Sequence, residues 1–141
     1  MDSSIGQSLK KNLVSIISLI VAIVALTYNT WRNEQTEDNR NIRAASFEIL
    51  RECAHLQLLT DLAFYGSSKS ADSIDGWVRV NFILSLTQVM PSSVRHQAAE
   101  LKQMWTQHST ELHVEKNANE VLTQSINDME QAVLDALEHL E

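Results

Sequence analysis

The sequence predicts an all-α protein: an N-terminal transmembrane helix continuing into a small antiparallel helical bundle. Three observations carry that expectation. The run Asn12–Trp31, NLVSIISLIVAIVALTYNTW, holds no charged residue. Glycine (three) and proline (one) are scarce in 141 residues, as in chains built of helices. Beyond the run, apolar residues recur at three- and four-residue spacing, the pattern of helices that bury one face.

Residues 1–11 read as a polar tail and 12–31 as the membrane anchor. As a helix the anchor covers ~30 Å, the thickness of a hydrocarbon core, while its strongly apolar part, Leu13 to Leu26, covers only ~21 Å. The span is short but adequate, with local thinning or a thin bilayer taking up the difference. Tyr28, Trp31 and Arg32 suit the headgroup level at one end, and Lys10 and Lys11 can snorkel outward at the other. A core helix would show a polar face, and this run is apolar nearly all round. A cleaved signal peptide is the stronger rival, because Lys10, Lys11 and the apolar stretch match its first two regions. Ala25 and Thr27 are its only candidate cleavage pair. No helix breaker precedes them and NTWRNEQTEDNR reads as more helix, so an uncleaved anchor is expected.

Ser15, Ser18, Ala22 and Ala25 are the only small residues between Leu13 and Leu26, spaced 3-4-3, and Asn29 continues the line. Small residues let helices approach closely in lipid, and serine or asparagine can hydrogen-bond across the contact. Two readings stand side by side: a helix–helix seam, as in a homodimer, or a chance alignment whose serines bond to their own backbone. The side of the membrane is nearly undecided, since Arg32, Arg40 and Arg43 follow the span while Lys10 and Lys11 precede it. The compact pair favours the N-terminus inside and the C-terminal domain on the periplasmic side.

Residues 32–43 are polar all round without a breaker, a solvated helical stalk. Residues 44–141 form the bundle. Its first helix carries Ile42, Ala45, Ile49, Leu56, Leu59 and Ala63 on a heptad seam, with Glu52 as the polar intruder and Phe47, Leu50, Cys53 and Leu62 widening the stripe. Gly66 is expected to end it in a left-handed conformation, and 66–76, GSSKSADSIDG, reads as a loop. Trp77 to Met90 alternates like a strand yet also fits a helix face. Helix is expected because no second strand is visible to pair with it, and Pro91 ends it. Ser92 or Ser93 is the expected cap of the next helix, whose stripe is Val94, Ala98, Leu101, Trp105, His108 and Leu112. A turn is expected between Glu111 and Asn119, then a capping box from Asn117 to Glu120. The last stripe is Leu122, Ile126, Met129, Val133, Leu137 and Leu140. From Asn117 onward there are six acidic residues and no lysine or arginine, and the acidic end predicts fraying against the helix dipole.

The net charge of −7 argues against nucleic-acid binding. The single cysteine, Cys53, allows no intramolecular disulfide. Glu52 and His55 have the i, i+3 spacing of di-iron bundle ligands, but no second Glu-x-x-His occurs, so an ordinary helix pair is expected. His108 and His113, five apart, do not share a helix face. His96 and His139 are expected on the surface. Cys53 reads as a buried inert thiol. Among common motifs there is no P-loop, Cys-x-x-Cys or Gly-x-Ser-x-Gly. No catalytic, cofactor-binding or metal-ligating residue is proposed from the sequence, and an enzyme is not expected.

The run Trp31–Arg43, WRNEQTEDNRNIR, placed directly after a short anchor, resembles small single-pass bacterial membrane proteins of uncharacterised function. The likeness rests on Trp31, Arg32, Glu34, Thr36, Glu37, Asn39 and Arg40 and extends through Phe47 and the Gly76–Trp77 pair. It implies a bacterial inner-membrane protein and carries no activity across.

The function expected is a membrane-anchored interaction or scaffolding module, self-associating through the transmembrane helix, with lipid and a protein of unknown identity as partners. The alternative is a membrane-tethered sensor or regulatory subunit binding a small ligand in a cavity lined by Trp77, Trp105 or His108. A metal-binding enzyme built on Glu52 and His55 is third.

Overall fold

The computed structural model describes residues 2–66 and 73–140, with side chains from Asn12 to Gly66 and from Ile74 to Leu140. Helix α1 spans Asp2–Tyr65, α2 Ser73–Leu86, α3 Ser92–His108 and α4 Lys116–Glu138, with a 3₁₀ turn at Thr87–Val89 after α2. The fold is all-α, with no strand among the described residues. The chain divides into two compact units, Met1–Asp38 and Asn39–Glu141, taken here in turn.

In the first unit every described side chain from Asn12 to Asp38 is exposed. Leu13, Ile20 and Val24 are more than half accessible, so no protein surface covers this apolar run. It is the one helical stretch among the described residues long and apolar enough to cross a membrane. Ser18, Thr27 and Thr30 donate to the carbonyls of Val14, Ile23 and Leu26 at 2.8, 2.9 and 3.0 Å. These bonds satisfy the hydroxyls within the helix, which makes them compatible with hydrocarbon. The side chains of Lys10 and Lys11 lie outside the described residues.

The second unit is an up-and-down bundle. Helix α1 runs antiparallel to α2, since Ser46 meets Met90 while Glu52 meets Arg79. It runs antiparallel to α4 as well, since Gln57 meets Thr123 and Thr60 meets Asn119. Helices α3 and α4 also pair antiparallel, with Pro91 and Ser93 near Asp135 and His139, and Gln103 and Met104 near Val121. The core is contiguous: Ile49, Leu56, Val80, Ile83, Leu101, Leu122, Ile126 and Met129 are all fully buried within it.

Several expectations are corrected. Of the expected α1 seam, Ala45, Ile49, Glu52, Leu56 and Ala63 are buried and Ile42 packs against the core, and Ser46, Cys53 and Thr60 are buried beside them. Phe47 and Leu62 are exposed instead, because at 100° per residue they lie about 160° and 140° round the helix from Ile49, and Leu59 is half-buried. Gly66 ends α1 by donating to Leu62 O at 3.0 Å, without the left-handed conformation. The 66–76 loop is shorter than expected. Residues 67–72 lie outside the described residues, and Ser73 to Gly76 already form the first turn of α2. Helix α2 resolves the strand–helix ambiguity: Val80 is buried while Val78 and Phe82 are exposed, and a strand would place all three on one face.

Neither expected cap forms. Pro91 occupies the N-cap of α3, so Ser92 and Ser93 fall inside the helix. Pro91 O accepts from Arg95 N at 3.2 Å. Glu115 is the N-cap of α4, without a side-chain bond, and Glu120 pairs with Lys116 at 2.6 Å rather than reaching back to Asn117. Helix α3 stops at His108, so Leu112 lies in the connecting turn and yet is buried.

Candidate functional site

The polar features of the bundle lie at its helix seams, and three are well defined. The first joins α1 and α2. Glu52 is 7 % exposed, and its Oε2 accepts from Arg79 Nη1 at 2.8 Å. Arg79 Nε and Nη2 lie 3.3 and 3.2 Å from Asp75 Oδ2 one turn earlier in α2. His55 Nδ1 lies 3.0 Å from the same Nη1. The guanidinium thus spans two carboxylates and an imidazole, and it holds the place beside Glu52 and His55 that a bound cation would need. Among the described residues no group of three or more metal-ligating side chains is assembled. Asp75 and Arg79 escaped the sequence reading. The available signal was complementarity: Arg79 is the only charged residue in the apolar run Trp77–Met90, and Glu52 the only one in the α1 seam.

The second cluster joins α1 and α4. Asn119, 5 % exposed, donates through Nδ2 to Thr60 O and Asp61 Oδ1, both at 3.2 Å. Gln57 Nε2 donates to Asp61 Oδ1 and Thr123 Oγ1, both at 3.0 Å. Asp61 Oδ1 thus collects two amide donors. Cys53 lies on the same seam, fully buried. Burial, then the charges of Glu130 and Glu52, push its thiol up to about 12, which leaves it protonated and unreactive at neutral pH. Burial also raises the Glu130 carboxyl above its ordinary value.

The third feature is an open groove of about 380 Å³ between α3 and α4, lined by residues that include Gln97, Glu100, Met104, Val121, Ser125 and Asp128.

The aromatic residues expected around a ligand cavity are distributed otherwise. Trp105 is 2 % exposed, and its indole lies against Gly76, where even a Cβ would overlap Cζ2. Trp77 is half-buried against the core, and His108 is half-buried at the end of α3. In the first unit Ser15, Ser18, Ala22, Ala25 and Asn29 are all exposed. Tyr28 and Trp31 are exposed too, their rings 6.2 Å apart and tilted by 47°, and Arg32 follows on the surface. No protein-family model, curated protein or solved structure matches the chain.

Proposed function

We propose that this chain is a single-pass membrane protein whose bundle is a non-enzymatic interaction module associating with a second copy of itself. The observation that carries the reading is an uncovered apolar face on the bundle part of α1. Leu58, Leu62 and Tyr65 lie within about 60° of one another around the helix and are 56 %, 48 % and 67 % exposed, and Phe47, 65 % exposed, lies on the same side about 16 Å earlier, beyond the exposed Arg51. Grouped apolar side chains of this size on a surface mark interaction sites. In the anchor, the line of Ser15, Ser18, Ala22, Ala25 and Asn29 offers a close-packing surface of the kind helices use in lipid.

The WRNEQTEDNRNIR resemblance supports a bacterial inner membrane as the location. The compact Lys10–Lys11 pair supports a periplasmic bundle. Neither Glu52 nor His55 is free to take a metal while Arg79 bridges them, which weighs against the metalloenzyme reading.

The test is disulfide crosslinking of Ala22→Cys in native membranes, with the unmodified chain, whose one thiol is buried, as control. A dimer band that appears for Ala22→Cys and is absent from the control supports the reading. Monomer alone, both in membranes and in detergent, overturns self-association.

A further inference from the structure

We infer that in the self-associated form proposed above, on which this pairing rests, the bundle part of α1 packs on α1 of a second copy, parallel and in register. Phe47, Arg51, Ala54, Leu58, Leu62 and Tyr65 recur at spacings of three and four residues and fall within about 80° of one another around the helix. All six are exposed, and Arg51 is the only charged one among them. The opposite side of the same stretch is apolar as well, with Ala45, Ile49, Leu56 and Ala63 buried in the core. A helix at a bundle surface carries polar residues on its outer side, and one that is apolar on both sides is covered on both.

The charges of this stretch restrict what covers it. Arg51 pairs with Glu48, Glu52 pairs with Arg79, and Asp61 accepts from Gln57 and Asn119. With each of these charges engaged inside its own chain, the outer face selects a neutral, apolar surface, and an identical face supplies one. Its size points the same way. Four large apolar side chains about half exposed offer on the order of 400 Å² per copy, roughly half of what each partner of a freely diffusing pair buries. A contact that small holds where the partners are already confined together, as copies anchored in one bilayer are. Such copies insert the same way round, so a two-fold axis along the membrane normal relates them. Their α1 helices then run parallel, and Leu58 and Leu62 each meet the same residue of the second copy.

The test is disulfide crosslinking of the full chain in native membranes, using Leu58→Cys, Leu62→Cys and, as the control away from this face, Gln107→Cys at an exposed position of α3. The native thiol, Cys53, is buried. Leu58→Cys and Leu62→Cys are expected to dimerise about tenfold faster than Gln107→Cys, because only residues facing their own twins hold two sulfurs within bonding distance. Differently tagged Phe47→Cys and Tyr65→Cys chains should form no mixed dimer, since in-register helices keep those positions about 27 Å apart along the axis. Adding Leu58→Glu to the Leu62→Cys chain should slow its crosslinking about tenfold, because like charges then face each other. Equal rates at all three positions, a mixed 47–65 dimer, or crosslinking indifferent to Leu58→Glu overturns the pairing. Crosslinking of Ala22→Cys with none of Leu58→Cys or Leu62→Cys overturns it and leaves self-association through the anchor standing. Monomer in all of these variants overturns both.

Discussion

Arg79 Nη1 lies 2.8 Å from Glu52 Oε2, closing an ion pair between α1 and α2 at a position where the carboxylate side chain is only 9 % exposed. Substituting Arg79 with methionine would leave that buried carboxylate with only the more distant Arg51 Nε, 4.0 Å from its Oε1, as a cation. We expect a loss of about 2 kcal/mol in unfolding free energy, below the value for a fully buried pair because Arg79 is partly solvated. The double variant Glu52→Met/Arg79→Met should recover most of the loss, since removing both charges removes the uncompensated one. Thermal unfolding of the three variants in detergent checks the cycle, and a double variant no better than Arg79→Met contradicts it.

Gly76 and Trp105 provide a second, steric prediction. The Cβ of Gly76→Ala would overlap the Trp105 indole, which is hemmed in by the core and has no room to swing away. Overpacking of this kind costs about 1–3 kcal/mol, against a helix-propensity gain for alanine of up to about 1 kcal/mol. A net loss of stability with quenched or shifted Trp105 fluorescence is expected. A stabilised Gly76→Ala would show that the indole moves freely.

Cys53 should be silent in the folded chain. With its thiol raised to about 12 from an ordinary value of 9.0, the folded state holds the proton that the unfolded state releases first. Stability is therefore lost as pH rises from about 9 toward 12. At pH 8 a disulfide reagent should label Cys53 only at the rate of unfolding. Rapid labelling of the native chain would mean that the α1–α4 seam opens at that position.

Glu130 makes the corresponding prediction in acid. Burial raises its carboxyl above 4.5, so between that value and the folded one the native state binds more protons than the unfolded state. Its contribution to stability falls as pH rises through this window. Glu130→Gln should flatten the slope and gain stability at neutral pH. An unchanged pH profile contradicts the assignment.

The buried amide of Asn119 holds α4 to the end of α1. Asn119→Ala would free Asp61 and the Thr60 carbonyl from their shared donor, and a loss of about 1–2 kcal/mol is expected. A neutral substitution, measured by urea unfolding, would show that water replaces the amide without cost.

The helices were legible from the sequence because their stripes are long. Val94, Ala98, Leu101 and Trp105, and again Leu122, Ile126, Met129 and Val133, are buried as their spacing requires. The seam of α1 was legible at Ala45, Ile49, Leu56 and Ala63, which are buried. Phe47 and Leu62 were added to its stripe for their apolar character although they lie on the far side of the helix, and Ser46 and Thr60 were passed over because they are polar. The caps were misread for a related reason: Ser92, Ser93 and Asn117 have the right chemistry, but backbone position, set by Pro91 and Glu115, decides which residue begins a helix. Arg79 and Asn119 could not be placed at all. Their roles depend on partners 27 to 59 residues away, and periodicity along a single helix does not carry such pairings.

The central claim is that the apolar run Asn12–Trp31 stays in the chain and holds it in a bilayer. The direct measurement is the intact mass of the protein in membranes washed with alkaline carbonate. Recovery of all 141 residues in the membrane pellet is the result expected. A shortened chain lacking the run, released into the supernatant, would contradict the account.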